Sequence, residues 1–110
     1  DGRVVVISGD TVPCPGLVDL ARDADLLVQC CHFPESAVAD PAVGAMTERT
    51  LPSAGQIGPL AAAAGVKHVV LTHLSMRVRG PGMLDALRAD VARSYDGRIT
   101  VGEDLAVFDV

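Results

Sequence analysis

The feature that most constrains this chain is an apolar run that stops dead at a polar turn. Arg3-Val4-Val5-Val6-Ile7 is closed at once by Ser8-Gly9-Asp10-Thr11. Far downstream Val69-Val70-Leu71-Thr72 ends in the same way at His73. Short runs of β-branched residues bounded by turn formers read as buried strands. Each run therefore delivers one metal-competent side chain to the place where a strand stops and a loop begins. In open α/β sheets ligands gather outside the carboxyl ends of the strands, so Asp10 and His73 are expected to converge.

The intervening sequence supports an alternation of elements. Asp25 to Cys30 and Lys67 to Thr72 are further strand-like runs, with shorter ones at Ile99 to Val101 and Leu105 to Val110. Pro15 is placed to open a helix through Leu17, Val18, Leu20 and Ala21. Ser36 to Met46 has a looser helical pattern, interrupted by Pro41 and Gly44. Ser53 suits an N-cap for a helix over Ala54 to Ala64, weakened by Gly58 and Pro59 and stopped by Gly65. Met83 to Tyr95 carries Met83, Leu84, Leu87 and Val91 at helical spacing, with Asp85, Arg88, Asp90 and Arg93 on the other side. The expected order is β-α-β-α-α-β-α-β-β, an α/β layer with no internal repeat.

Composition narrows the function. The 110 residues suit one domain, and 49% hydrophobic content with a mean hydropathy of +0.35 requires a substantial buried core. No apolar stretch approaches the ~18–20 residues of a membrane span. The chain opens on Asp1-Gly2 and enters a strand directly, with no signal, transit or lipidation motif, a start expected of a segment of something longer. A net charge of −5 gives no indication of a nucleic acid partner, and Arg77 and Arg79 read as solvated loop residues. Three cysteines, two of them adjacent, make a poor disulfide framework, so a reducing, cytoplasmic setting is expected.

Cys30-Cys31-His32 is zinc-competent chemistry in an unsuitable arrangement, because consecutive strand residues point to alternate faces. The trio reads as a buried structural cysteine pair followed by a loop histidine. His32, just past a strand end, is the candidate for facing a catalytic cleft. His68 reads as a surface residue, and Glu103-Asp104 as a solvated turn.

Val-Ile-Ser-Gly-Asp-Thr, then Asp-Leu-Leu-Val, then Ala-Gly-Val-Lys-His-Val-Val-Leu-Thr-His-Leu-Ser resembles the C-terminal half of the metallo-β-lactamase fold. The likeness is to its ribonuclease Z and arylsulfatase-like phosphodiesterase branch, and runs from about Arg3 to Val110. It implies an α/β half-domain over residues 1–110: one β-sheet with helices on its outer face, half of an αββα sandwich. It further implies that Asp10 is a bridging metal ligand and His73 a terminal one. Two divalent ions, zinc first and manganese or iron as alternatives, would then activate a hydroxide that attacks a phosphodiester or related ester.

The family's His-x-His-x-Asp-His cluster does not occur in these residues, and His32, His68 and His73 are the only histidines. Gln29-Cys30-Cys31-His32 replaces a His-Glu-Ala-Thr-like stretch, and Thr50 stands where the ribonuclease Z branch places a histidine near the leaving group. Threonine does no general acid work near neutral pH, so a substrate other than tRNA ends is an equal expectation. The chain alone is expected to be inactive. It should pair with the missing N-terminal half or with a second copy covering the exposed sheet. The alternative is a non-catalytic α/β binding or assembly module that has lost the metal site.

Overall fold

The computed structural model describes residues 2–110. Strands β1 (Val5–Ile7), β2 (Leu26–Cys30), β3 (His68–Thr72) and β4 (Arg98–Val101) form one sheet in the order β1-β2-β3-β4, every neighbouring pair parallel. Helices α1 (Pro15–Leu20), α2 (Pro41–Arg49), α3 (Ala54–Ala64) and α4 (Met83–Ala92) occupy the connections, with short 3₁₀ turns at Glu35–Ala39 and Met76–Val78.

Strand order follows chain order, and crossovers between parallel strands are right-handed, so successive connections return over the same face. The register shows the result. Val6, Leu27, Val69 and Ile99 lie side by side across the sheet. That row packs with Leu17 of α1, Ile57 and Leu60 of α3, and Leu87 and Val91 of α4 in a single core. The alternate row, Ile7, Val28, Val70 and Thr100, faces the other way. No helix row covers its outer end: Val5 is 49% exposed and Ile7 is 71% exposed. This is the one-sided half-sandwich that the resemblance implies.

Most expected elements form, with instructive differences. Pro41 does not interrupt a helix but begins one. Asp40 accepts a hydrogen bond from the Ala42 amide at 2.9 Å and Pro41 occupies the first turn, where its missing N–H costs nothing. In α3 the Ser53 amide donates to Gln56 Oε1 at 2.9 Å, and Gly65 closes the helix at φ +69°. Gly58 serves packing there: a Cβ would lie 2.5 Å from the Val91 carbonyl oxygen of α4 and would collide with Ser94 Oγ. α4 ends at Ala92, and Tyr95 lies beyond it with its hydroxyl donating to the Val66 carbonyl at 2.8 Å.

Two expectations are corrected. Leu105 to Val110 forms no strand. The Gly102 amide donates to the Leu71 carbonyl at 2.8 Å and the Ala106 amide to the Glu103 carbonyl at 3.1 Å, which turns the chain off the end of β4. Leu105 and Val107 are left almost fully exposed. His68, in turn, is buried rather than superficial. Its Nε2 lies 2.9 Å from Thr100 Oγ1, and the Phe108 ring meets its edge with centroids 6.1 Å apart. The last residues thus fold across part of the open face. Among the described residues no helix is long and apolar enough to cross a membrane.

Candidate metal centre

The carboxyl ends of β1, β2 and β3 lie side by side, and each carries one donor group. Asp10 follows β1, Cys30 is the last residue of β2, and His73 follows β3. Their ligand atoms all lie within 4.8 Å of one another. His73 Nδ1 is 2.8 Å from Asp10 Oδ1 and 3.5 Å from Cys30 Sγ. Asp10 and His73 therefore converge as their strand-end settings suggest. Both are accessible, whereas Cys30 is buried behind them.

The backbone is bent to achieve this. Gly9 sits at φ +63°, which glycine adopts without strain, and its neighbour Asp10 is carried back over the strand ends. His73 sits at φ +56° without that freedom. A side-chain-bearing residue in this region costs on the order of 1–3 kcal/mol and persists only where its surroundings enforce it. Here the surroundings are specific. His32 Nδ1 donates to the His73 carbonyl at 2.8 Å, the Ser75 amide donates to the His32 carbonyl at 3.1 Å, and the Cys31 amide donates to the Thr72 carbonyl at 2.9 Å. The two imidazoles lie with centroids 4.7 Å apart. His32 thus grips the turn that carries His73, with Nδ1 committed to a carbonyl oxygen.

Ser8 ties the first two strand ends together. Its amide donates to the Val28 carbonyl at 3.0 Å, and its hydroxyl accepts from the Cys30 amide at 3.0 Å and donates to the Gly9 carbonyl at 2.8 Å. Burial pushes the Cys30 thiol up to about 11, with the Asp10 charge adding to the effect and a Thr11 backbone hydrogen bond opposing it. Cys31 points to the opposite face, lies in the helix-side core and is pushed up to about 12 by burial. The expected burial of the two cysteines and their separation by strand alternation are thus observed, with Cys31 in the helix-side core and Cys30 beside Asp10 and His73.

Cys30 is the group that sequence reasoning placed away from the site. The signal was present in the same alternation, since residue 30 ends its strand as Ile7 and Thr72 end theirs. Strand order was the missing piece. Thr50 caps α2 and turns its hydroxyl back to the Met46 carbonyl at 3.2 Å. Arg77 reaches Asp40 at 3.7 Å. Arg79, Glu103 and Phe108 line, with Thr72, His73 and Ser75, a cleft of about 1110 Å³ beside the centre. The acidic turn and one of the loop arginines are therefore cleft walls as well as solvated groups.

The donor set suits a transition metal. Carboxylate, imidazole and thiolate are all ligands of first-row transition metals. Together these residues could supply one side of a coordination sphere. Gln29 shows how tightly the region is packed: it is fully buried, its Nε2 donates to the Cys30 carbonyl at 3.0 Å, and its Oε1 has no partner among the described residues.

Comparison with known proteins gives a consistent result. No protein-family model matches the chain. It is 37% identical over 112 aligned residues to ribonuclease Z of Methanosarcina mazei, covering 99% of this chain and 33% of that protein. Among solved structures it superposes on the metallo-β-lactamase fold protein YhfI from Bacillus subtilis with a TM-score of 0.76 and 24% identity, covering 93% of this chain and 38% of the other. It superposes on the short form of human tRNase Z with a TM-score of 0.68 and 24% identity, covering 98% and 33%. The chain spans about a third of the length of the curated relatives it matches.

Proposed function

This chain belongs to the ribonuclease Z-like proteins of the metallo-β-lactamase fold, and on that premise we propose that it supplies Asp10 and His73 to the two-cation centre of a hydrolase acting on a phosphodiester or related ester. The single observation that carries the reading is the meeting of these side chains, 2.8 Å apart, at the strand ends beside an open cleft. Zinc is the preferred metal, with manganese or iron as alternatives, and a reducing cytoplasmic setting agrees with the free cysteines. When bound, a pair of such cations brings the pKa of water toward neutrality and offsets charge on a phosphoryl group.

The chain's own residues prepare that chemistry. Asp10 presents two carboxylate oxygens from a turn fixed by Gly9 and Ser8, a geometry suited to bridging. His73 is held in its strained conformation by His32, which acts here as a positioning residue. Arg79 lines the cleft and offers a permanent positive charge to an anionic ester. The remaining ligands come from the part of the fold that packs against the open sheet face around Val5 and Ile7, or from a second copy of the chain.

The test is hydrolysis of bis(p-nitrophenyl) phosphate by the intact protein. Asp10→Ala should lower kcat by more than about 100-fold, beyond the ~10–100-fold loss typical of a residue that merely supports a metal ligand. Full activity in that variant would refute the assignment. Absence of hydrolysis in the metal-loaded wild type would favour the non-catalytic binding module.

A further inference from the structure

We propose that Cys30 is a third donor of this centre, so that Asp10, Cys30 and His73 form a mixed carboxylate–thiolate–imidazole site for one transition-metal cation. The proposal rests on the reading of Asp10 and His73 as ligands and adds to it.

Three observations support it. The first is topological: consecutive parallel strands each contribute one donor at the same end of the sheet, and Cys30 is the contribution of the middle strand. The second is metric. Thiolate and imidazole donors on one tetrahedral zinc, at about 2.3 and 2.0 Å, are separated by about 3.5 Å. Cys30 Sγ and His73 Nδ1 are 3.5 Å apart. A carboxylate oxygen and an imidazole nitrogen on the same ion require about 3.3 Å. The Asp10–His73 pair must therefore open from 2.8 Å, which the 65% exposed Asp10 side chain is free to do. The third is positional restraint. The Cys30 amide is anchored to Ser8 Oγ, and its carbonyl accepts from Gln29, so the thiol is delivered by a fixed backbone.

The other thiols do not compete for this place. Cys31 faces the helix-side core, and Cys14 lies on the surface at the start of α1. Binding would release the thiol proton to solvent as the sulfur takes up the cation. A thiolate donor biases the site toward zinc and its softer neighbours and away from magnesium or calcium, which prefer oxygen.

The experiment uses cobalt(II) as probe in the intact protein. Wild type should develop both the visible ligand-field bands of a low-coordinate cobalt ion and a near-ultraviolet thiolate-to-cobalt charge-transfer band. Cys30→Ser should lose the charge-transfer band and keep ligand-field absorption, and His73→Ala should lose ligand-field intensity at the site. Ligand-field bands in wild type without a charge-transfer band would overturn the role of Cys30 and leave Asp10 and His73 in place. A charge-transfer band that survives in Cys30→Ser would overturn it equally. No cobalt absorption at all would overturn the parent reading as well. X-ray absorption of the zinc-loaded wild type needs no variant: a sulfur scatterer in the zinc coordination sphere is expected, and its absence contradicts the proposal.

Discussion

Asp25 anchors the end of the sheet remote from the candidate centre. Its carboxylate accepts the Val4 amide at 2.9 Å, lies 2.7 Å from Lys67 Nζ and reaches Arg3 at 3.4 Å. The Lys67 hydrogen bond, then that of Val4, holds its pKa at about 2, below the ordinary 3.8. A folded value below the unfolded one means a contribution that is complete above about pH 4 and is lost as pH falls toward 2. His68 has the opposite charge type and the same direction. Burial, with Arg98 assisting, lowers its pKa below 6.5, so its contribution is complete above pH 6.5 and declines as pH drops below that value. Urea unfolding across a pH series should show both declines. Asp25→Asn should flatten the lower one and His68→Gln the upper one, while an unchanged profile in either variant would contradict the corresponding account. Asp10 and His73 were legible in sequence, because Asp10 lies in the polar turn that closes one strand-like run and His73 directly follows another. His68 was not, since the Phe108 ring that covers it lies 40 residues away in a segment that forms no strand.

Among the elements, α3 shows how packing reverses a propensity argument. Gly58 lowers intrinsic helix stability by about 1 kcal/mol relative to alanine. Yet the Val91 carbonyl of α4 stands where a methyl group would go, and a helix carbonyl has little room to retreat. Overpacking of this kind costs about 1–3 kcal/mol, so Gly58→Ala should lower Tm despite its better propensity. Gly16 in α1 is the matched control: nothing lies within 4 Å of its Cβ position, and Gly16→Ala should raise Tm modestly. Thermal melts of the two variants give the comparison, and a rise for Gly58→Ala would contradict the close α3–α4 approach. The strand runs and the limits of α3 were readable because periodicity and caps are local. The beginning of α2 was missed because a proline at a first turn and a proline in a helix interior look alike until the preceding Asp40 cap is recognised. The loss of the final strand was unreadable for another reason: the turn that carries the chain off the end of β4 rests on the Gly102 amide donating to the Leu71 carbonyl of β3, a partner remote in sequence.

For the whole molecule, the decisive property is its one-sidedness. Sequential strand order places α1, α3 and α4 on one face and leaves the row through Ile7 and Val28 for another layer. Local sequence patterns contain strands but not their order, so the placing of Cys30 between Asp10 and His73 emerges only from the assembled sheet. The likeness to ribonuclease Z was nevertheless carried by the residues around those strand ends, the same region that converges in space. The central claim is that this end of the sheet is one side of a metal centre. Anomalous scattering from crystals of the intact protein loaded with zinc tests it most directly. Data on both sides of the absorption edge should place a zinc peak within about 2.3 Å of donor atoms of both Asp10 and His73. Zinc bound only elsewhere, with those two side chains still paired directly to each other, would contradict the account.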